Sequence, residues 1–477
     1  MSAKRPRCTI LTSGFLTRTG PAAGCRILLC LTVRRCLQAP FALMRTTSVF
    51  IQHPQRRFIR SAVALFVVAF TVRAILALSL QHFDVPIKGE MERVAATWAV
   101  TGQLANPYST RTGRTAHVSP VYPILLGLIY RVFGIGVSGH RAQAIFACAV
   151  SAARSPMLLL LALILGLDFR TGMIAGCISV AYITAFNTEL RGSWEAPLAG
   201  LFLIALTMMA ARFHGAPELR FRTAVVFGLS AGVGVLLSPA LAPPMAVFLV
   251  CTARFGRHRW GRYAAWCSVL FVAAFLVVLP WLIRNERALG SPVIRSNFGL
   301  ELSLAYNDRE YASALDPAIT ASHPLMNRAV SQHVAEIGEI AFNREREHEA
   351  IQWIRQHPEG ALRLFGDHVF DFWFPPNDYV FARILLAVIT VLSACGFVLL
   401  VLRNHLAAWL IGSIWASFPL IYYVTYWSSR YREPIEWTFL LCSAVTLDFV
   451  WREVRSFRPR RVEPFPPREF EASKLRS

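Results

Sequence analysis

Apolar runs of about twenty residues alternate with short basic loops along most of this chain. The clearest are 61–80, 263–283 and 380–402. Each has the length that crosses a hydrocarbon core of roughly 30 Å. Weaker runs occupy 140–166, 170–188, 194–212, 223–237, 240–253, 406–426 and 435–450. Lipid offers no partner to a backbone N–H or C=O, so an inserted run must be helical. The run 119–135 is also apolar, but it is short and Pro120 and Pro123 interrupt it.

Charge decides how these runs are threaded. Arg212, Arg220 and Arg222 mark one connecting loop, and Arg254, Arg257, Arg259 and Arg262 mark another. Basic loops stay in the cytoplasm. If every apolar run crossed, the Arg212–Arg222 loop would lie outside. Leaving 119–135 as a juxtamembrane or re-entrant element restores the rule, with ten crossings and both termini inside. The expected fold is therefore an all-α polytopic membrane protein with about ten transmembrane helices.

Composition agrees. The 477 residues are 55% hydrophobic, with a mean hydropathy of +0.45. The net charge of +21 does not indicate nucleic acid, because the bases sit at the N-terminus, in short loops and in the tail. The cysteines show no ligand spacing, which argues against a disulfide framework or a structural zinc site. Residues 1–60 form a basic cytoplasmic segment without an acid, either a targeting segment or the product of a start read too early, with Met44 then the true first residue. A transmembrane core follows at 61–284, then C-terminal spans at 379–450 and a basic cytoplasmic tail at 451–477.

Two polar stretches break the apolar pattern, 81–118 within the core and 285–378 beyond it. The second holds fourteen of the 28 acidic residues, enough chain for a small helical extracytoplasmic subdomain. Val330, Val334, Ile337 and Ala341 share a helical face. A charged helix over 343–356 should stop at His357-Pro358.

Candidate chemistry gathers in the outer loops. Met91, Val94, Ala95 and Trp98 form the apolar stripe of an interfacial helix between Gly89 and Gly102. Glu90 falls in its first turn, where it either complements the helix dipole or acts as an ionised base or ligand. Glu189, Arg191 and Glu195 lie at the outer end of two spans, either as a surface pair with a helix start or as working groups. Arg430 and Arg432 flank Tyr431, and Arg284 follows Trp281 at the same level. Guanidinium groups there suit either headgroup anchoring or bidentate phosphate binding.

Several of these segments, in order, resemble the GT-C fold glycosyltransferases. The similarity is to the bacterial branch that includes protein O-mannosyltransferases and the lipid A aminoarabinose transferase (family 39-like). They are GEMERVAATWAVTGQLANPY, TGRTAHVSPVYPILLGLIYRVFG, Trp194-Glu195, the run from Arg295 to Leu302, and the run from Arg430 to Glu436. The resemblance covers about 61–450 and implies a polyprenyl-phosphate sugar donor. Its sugar would pass, with inversion, to a glycan, lipid or protein acceptor outside the bacterial inner membrane. It places a carboxylate base at Glu90 and a second acid at Glu195. Arg284, Arg430 and Arg432 would hold the donor phosphate, and His117, Tyr122, Glu189 and Arg191 the substrates. No cofactor is implied; a divalent metal is compatible but nothing in the sequence indicates one. Gly113-Arg114-Thr115 departs from the usual Gly-Pro-Thr, and the stretch from Asp367 to Asp371 stands where relatives more often show a basic residue. A transporter or flippase of lipid-linked sugars, or a polysaccharide polymerase or ligase, are the competing readings. The sequence shows no internal repeat of the kind paired transporter halves leave.

The threading is open to direct test. On a cysteine-free background, single cysteines near 100 and 330 should be labelled from outside intact cells, and those near 217 and 258 protected. External labelling at 258 would contradict ten crossings.

Overall fold

The computed structural model describes residues 55–87, 89–182, 190–214, 219–255, 260–308, 321–376, 379–425 and 428–456. These residues form a helical protein, with no strand among them. Among the described residues, six helices are long and apolar enough to span a membrane. In the labels used below they include α1 (Gln55–Leu80), α4 (Val137–Ile164), α6 (Ala196–His214), α9 (Trp260–Leu289) and α14 (Val380–Leu402). The sixth ends the described chain as α17 (Glu436–Ser456), preceded by the short α16 (Ser429–Arg432). Shorter apolar helices are α3 (Val121–Phe133), α5 (Phe169–Ala181), α7 (Phe221–Leu237), α8 (Ala242–Phe255) and α15 (Leu406–Ser417). With α3 among the shorter ones, the described residues hold six long and five short apolar helices. The chain is an all-α, multi-pass membrane protein.

Small residues let the helices approach closely, as packing within lipid requires. A Cβ added at Gly228 or Gly232 of α7 would sit 2.3 and 2.7 Å from α9 carbonyl oxygens. One at Gly396 of α14 would sit 1.9 Å from the Cys442 oxygen in α17. One end of the bundle is basic. There the Arg57 guanidinium lies 4.9 Å from the Phe169 ring, and Arg452 pairs with Asp168 and Asp448. The opposite end carries both polar stretches.

In the first stretch, α2 (Glu90–Thr101) begins after Gly89 and ends at Gly102, whose φ of +73° needs a glycine. Its stripe of Met91, Val94 and Ala95 is fully buried. The cover is protein: α3, lying beneath, meets it at Gly127, where a Cβ would strike Trp98 at 2.4 Å. In the second stretch, α10 (Phe298–Ala305), α11 (Arg328–Ile337), α12 (Glu339–Gln356) and α13 (Pro358–Trp373) surround their own apolar cluster. The expected continuous face from Val330 to Ala341 is broken at Gly338, which adopts φ +87° and turns the chain. The stop at His357-Pro358 falls where expected.

Gly299 fixes how α10 crosses α12. An added Cβ would lie 1.9 Å from the Asn343 carbonyl oxygen, and the Asn343 side chain already accepts the Leu300 N–H at 3.2 Å. Gly299→Ala should cost about 1–3 kcal/mol through overpacking, read as a lower melting temperature in detergent. Gly366→Ala in α13, where nothing lies within 4 Å, should leave that temperature unchanged or raise it.

Candidate functional site

The α2 N-terminus places Glu90 inside the protein, only 4% exposed. One carboxylate oxygen, Oε1, meets two imidazoles: His117 Nε2 at 2.8 Å and His323 Nε2 at 3.4 Å. Burial alone would raise this carboxyl's pKa, but His117, with help from His323 and Arg430, outweighs it and holds Glu90 well below the usual range. Burial likewise works against the His117 charge, and Glu90 overcomes it, so the His117 pKa rises. His323 differs. Burial lowers its pKa, and its Nδ1 accepts the Leu325 N–H at 3.1 Å. The proton therefore sits on Nε2, facing Glu90. His117 Nδ1 bonds the Tyr108 hydroxyl at 2.8 Å, closing a buried chain of polar groups.

A second carboxylate holds this arrangement to the outer helices. Glu339, at the head of α12, accepts from the Thr115 hydroxyl, the Ala116 N–H (2.8 Å) and the Ser296 hydroxyl. Arg284 adds a clamp: it donates to the Leu104 and Thr115 carbonyls at 2.8 and 2.7 Å and to Asn285 at 2.7 Å. Arg295 Nε donates to the His117 carbonyl at 3.1 Å. Sequence alone did not single out Glu339; its only signal was a position just after a helix-breaking glycine.

Beside this cluster lies a cavity of about 410 Å³. Its polar wall is Glu195, Arg295, Glu301, Arg430 and Tyr431, with Trp194 alongside. The floor is apolar, built from Pro239 and Ala240 in the turn after α7 and from Ile421 and Tyr422 after α15. Arg430 stacks on Trp194, its guanidinium carbon 3.6 Å from the ring centre. It donates to the Tyr431 hydroxyl (3.1 Å), which donates to Glu301 Oε2 (3.1 Å), while Asn297 holds Oε1 at 3.0 Å. Tyr431 also stacks on Tyr422, ring centres 4.4 Å apart.

The three arginines grouped by sequence are thus separated. Arg430 lines the cavity. Arg284 is spent on carbonyls of the first polar stretch. Arg432 is buried, paired with Glu436 at 2.8 Å and bonded to the Trp373 carbonyl (2.6 Å) and Thr390 (3.1 Å). Of the other candidates, Glu195 lines the cavity and Glu90 stands behind Arg430. His117 belongs to the buried chain, and the Tyr122 hydroxyl bonds the Gly192 carbonyl at 2.6 Å. Arg191 is exposed, its carbonyl held by Gln143 at 3.0 Å. Glu189 lies outside the described residues. Arg295 and Glu301 had no assigned role, although both fall in the Arg295–Leu302 run. Among the described residues, no cluster of three or more His, Cys, Asp or Glu is set to hold a metal.

No family model and no curated protein matches the chain. Solved structures do. The oligosaccharyltransferase of Archaeoglobus fulgidus, in its apo form, superposes with a TM-score of 0.50 at 14% identity, over 86% of this chain and 52% of that one. The chain shares its fold with part of that enzyme. It spans about half the length of the archaeal enzyme. The same enzyme, AglB, in complex with an inhibitory peptide and a dolichol-phosphate gives a TM-score of 0.46 at 13% identity, over 82% of this chain and 51% of that one. ArnT from Cupriavidus metallidurans, bound to undecaprenyl phosphate, gives 0.37 at 13% identity, over 81% and 77%.

The Glu90–His117 pair sets a pH dependence. Glu90's pKa falls on folding, so its contribution is present above its ordinary 4.5 and is lost as pH drops through the folded value. His117's rises, so its contribution is present below its ordinary 6.5 and is lost as pH climbs through the folded value. The melting temperature of the native chain should exceed that of Glu90→Gln most between those two values, and the gap should close on the alkaline side. A gap independent of pH would contradict the pairing.

Proposed function

We propose that the chain is a membrane glycosyltransferase that moves a sugar from a polyprenyl-phosphate donor to an acceptor. The work would be done on the extracytoplasmic side of a bacterial inner membrane, with both termini in the cytoplasm. The observation that carries this reading is the cavity wall, where two guanidiniums and two carboxylates face a pocket whose floor is apolar. A lipid-linked donor needs that combination, cations for the phosphate above a floor that tolerates an isoprenoid. The oligosaccharyltransferase that shares the fold makes the same class of activity a natural proposal here.

In this mechanism the acceptor hydroxyl or amine attacks the anomeric carbon, inverting it. The bond to phosphate breaks, and its electron pair leaves with polyprenyl phosphate. Arg295 and Arg430 stabilise that phosphate, already a good leaving anion, so no general acid is required. The acceptor's proton passes to Glu90, whose Oε1 is taken by imidazoles and whose second oxygen receives it. His117 holds Glu90 in its anionic form, able to accept a proton though a weaker base than a free carboxylate. Glu195, at the head of α6, orients the acceptor. Arg284 and Arg432 act as scaffold. One observation favours transport instead. Arg73 and Arg154 are buried among α1, α4 and α5, where Arg73 donates to the Ser179 carbonyl (3.0 Å) and Arg154 to the Ser179 hydroxyl (3.2 Å). Ionisable residues at that depth often serve a pathway.

Purified variants test the roles. Glu90→Gln should lower turnover by about 10²-fold or more, the scale of a lost general base. Glu195→Gln should mainly raise the KM for acceptor. Arg430→Lys and Arg295→Lys should each weaken donor binding by about 1.5–3 kcal/mol, since lysine lacks the planar fork. Arg432→Lys should instead lower the melting temperature. Near-normal turnover in Glu90→Gln with loss in Glu195→Gln would move the base to Glu195, and unchanged donor affinity in both cavity-arginine variants would remove the phosphate site.

A further inference from the structure

The stretch 285–378 reads as a solvated outer subdomain, yet its last helix is built for a different solvent. One face of α13 packs inward through Ala361, Leu364, His368 and Phe372, all buried. At 100° per residue, Phe365, Val369, Leu362, Gly366 and Phe370 fall on one continuous arc of about 140°. Leu362 is 72% exposed and Phe370 62%. Past the first turn that arc carries no charge; Arg363, Asp367 and Asp371 occupy the remaining flank. In water, such a face would be an aggregation hazard.

The C-terminus of α13 shows where the face lies. The Trp373 carbonyl accepts from Thr390 Oγ1 (3.1 Å) and from Arg432 Nη1 (2.6 Å). Thr390 is ten residues into the membrane-spanning α14, about 15 Å along its axis from the N-terminus. The end of α13 is therefore level with the interior of a spanning helix. Its terminal carbonyl is also answered by protein, as a helix end removed from water requires. Exposed apolar residues continue through Phe374 and then Tyr379, Val380 and Phe381 into the lipid-facing side of α14, where Ile384, Val388 and Val391 are exposed.

We infer that α13 is a half-submerged helix that descends into the leaflet on the cavity side, its Phe365–Leu362–Phe370 face covered by the acyl chains of the bilayer. The outer helices would then be moored to the membrane at the point where Arg432, two residues from the cavity's Arg430, grips the Trp373 carbonyl. Mooring needs no sugar chemistry and stands whether or not the transferase reading holds.

The test is depth-resolved fluorescence on a cysteine-free background in phosphatidylcholine nanodiscs. A bimane label is placed at Leu362→Cys, Phe370→Cys, Val388→Cys (lipid side of α14) and Arg355→Cys (exposed on α12). Both α13 labels are at exposed positions, so folding should survive, which retained melting temperature confirms. Brominated acyl chains should quench positions 362 and 370 within about twofold of position 388, with 370 the deeper, and aqueous iodide should reach only 355. Iodide quenching of 362 and 370 at the level of 355 would overturn the inference. So would disulfide cross-linking of two copies through 370, which would assign the face to a second chain. Loss of bromine quenching on adding polyprenyl phosphate would likewise overturn it, because the face would then belong to the substrate's isoprenoid.

Discussion

A charge that leaves water for the end of a helix bundle must find its partners in the protein, and this constraint organises the site. Arg432 satisfies Glu436, a helix-terminal carbonyl and Thr390 in one fork. Arg284 ties two carbonyls of the first polar stretch to α9. Glu339 gathers three donors from segments more than forty residues away in sequence. Removing one partner of such a buried group strands the other, at a cost of about 3–5 kcal/mol. These charges are consequently architectural, and they hold the polar stretches over the bundle in one arrangement.

The cavity is shaped by what that scaffold holds in place. Arg430 is presented by a four-residue helix, stacked on Trp194 and bonded to Tyr431, with the buried Arg432 fixing the same short helix from below. Arg295 is tethered to the His117 carbonyl, which links the cationic wall to the Glu90 cluster. Low dielectric strengthens every interaction inside it. A phosphate entering here would meet guanidiniums whose geometry is already set, which is what makes electrostatic stabilisation effective without reorganisation.

The membrane architecture was legible because it rests on length and period. The ends of α4 and α14 lie within three residues of the apolar runs that announced them, while α9 and α17 each overrun theirs by six. Caps at Gly89 and Gly102 were readable for the same local reason. Side-chain direction was not. Arg430 and Arg432 are two residues apart, and on a helical turn that spacing sends one to the cavity and the other into the core. Glu339 and Glu301 were hidden among fourteen acids whose simplest reading is solvation. Gly338 ended a helix that periodicity alone carried through it. The burial of α2's stripe against α3 was likewise invisible, since a stripe facing lipid and a stripe facing another helix have the same pattern.

What the site does to a lipid-linked sugar separates transfer from transport. The direct measurement uses purified protein in proteoliposomes with a polyprenyl-phosphate sugar labelled on both sugar and lipid. The account predicts that the two labels part: sugar appears on an acceptor or in solution while free polyprenyl phosphate accumulates, and Glu90→Gln slows both together. Labels that stay joined while the intact donor changes leaflet would contradict it, and would place Arg73 and Arg154 at the centre of the mechanism.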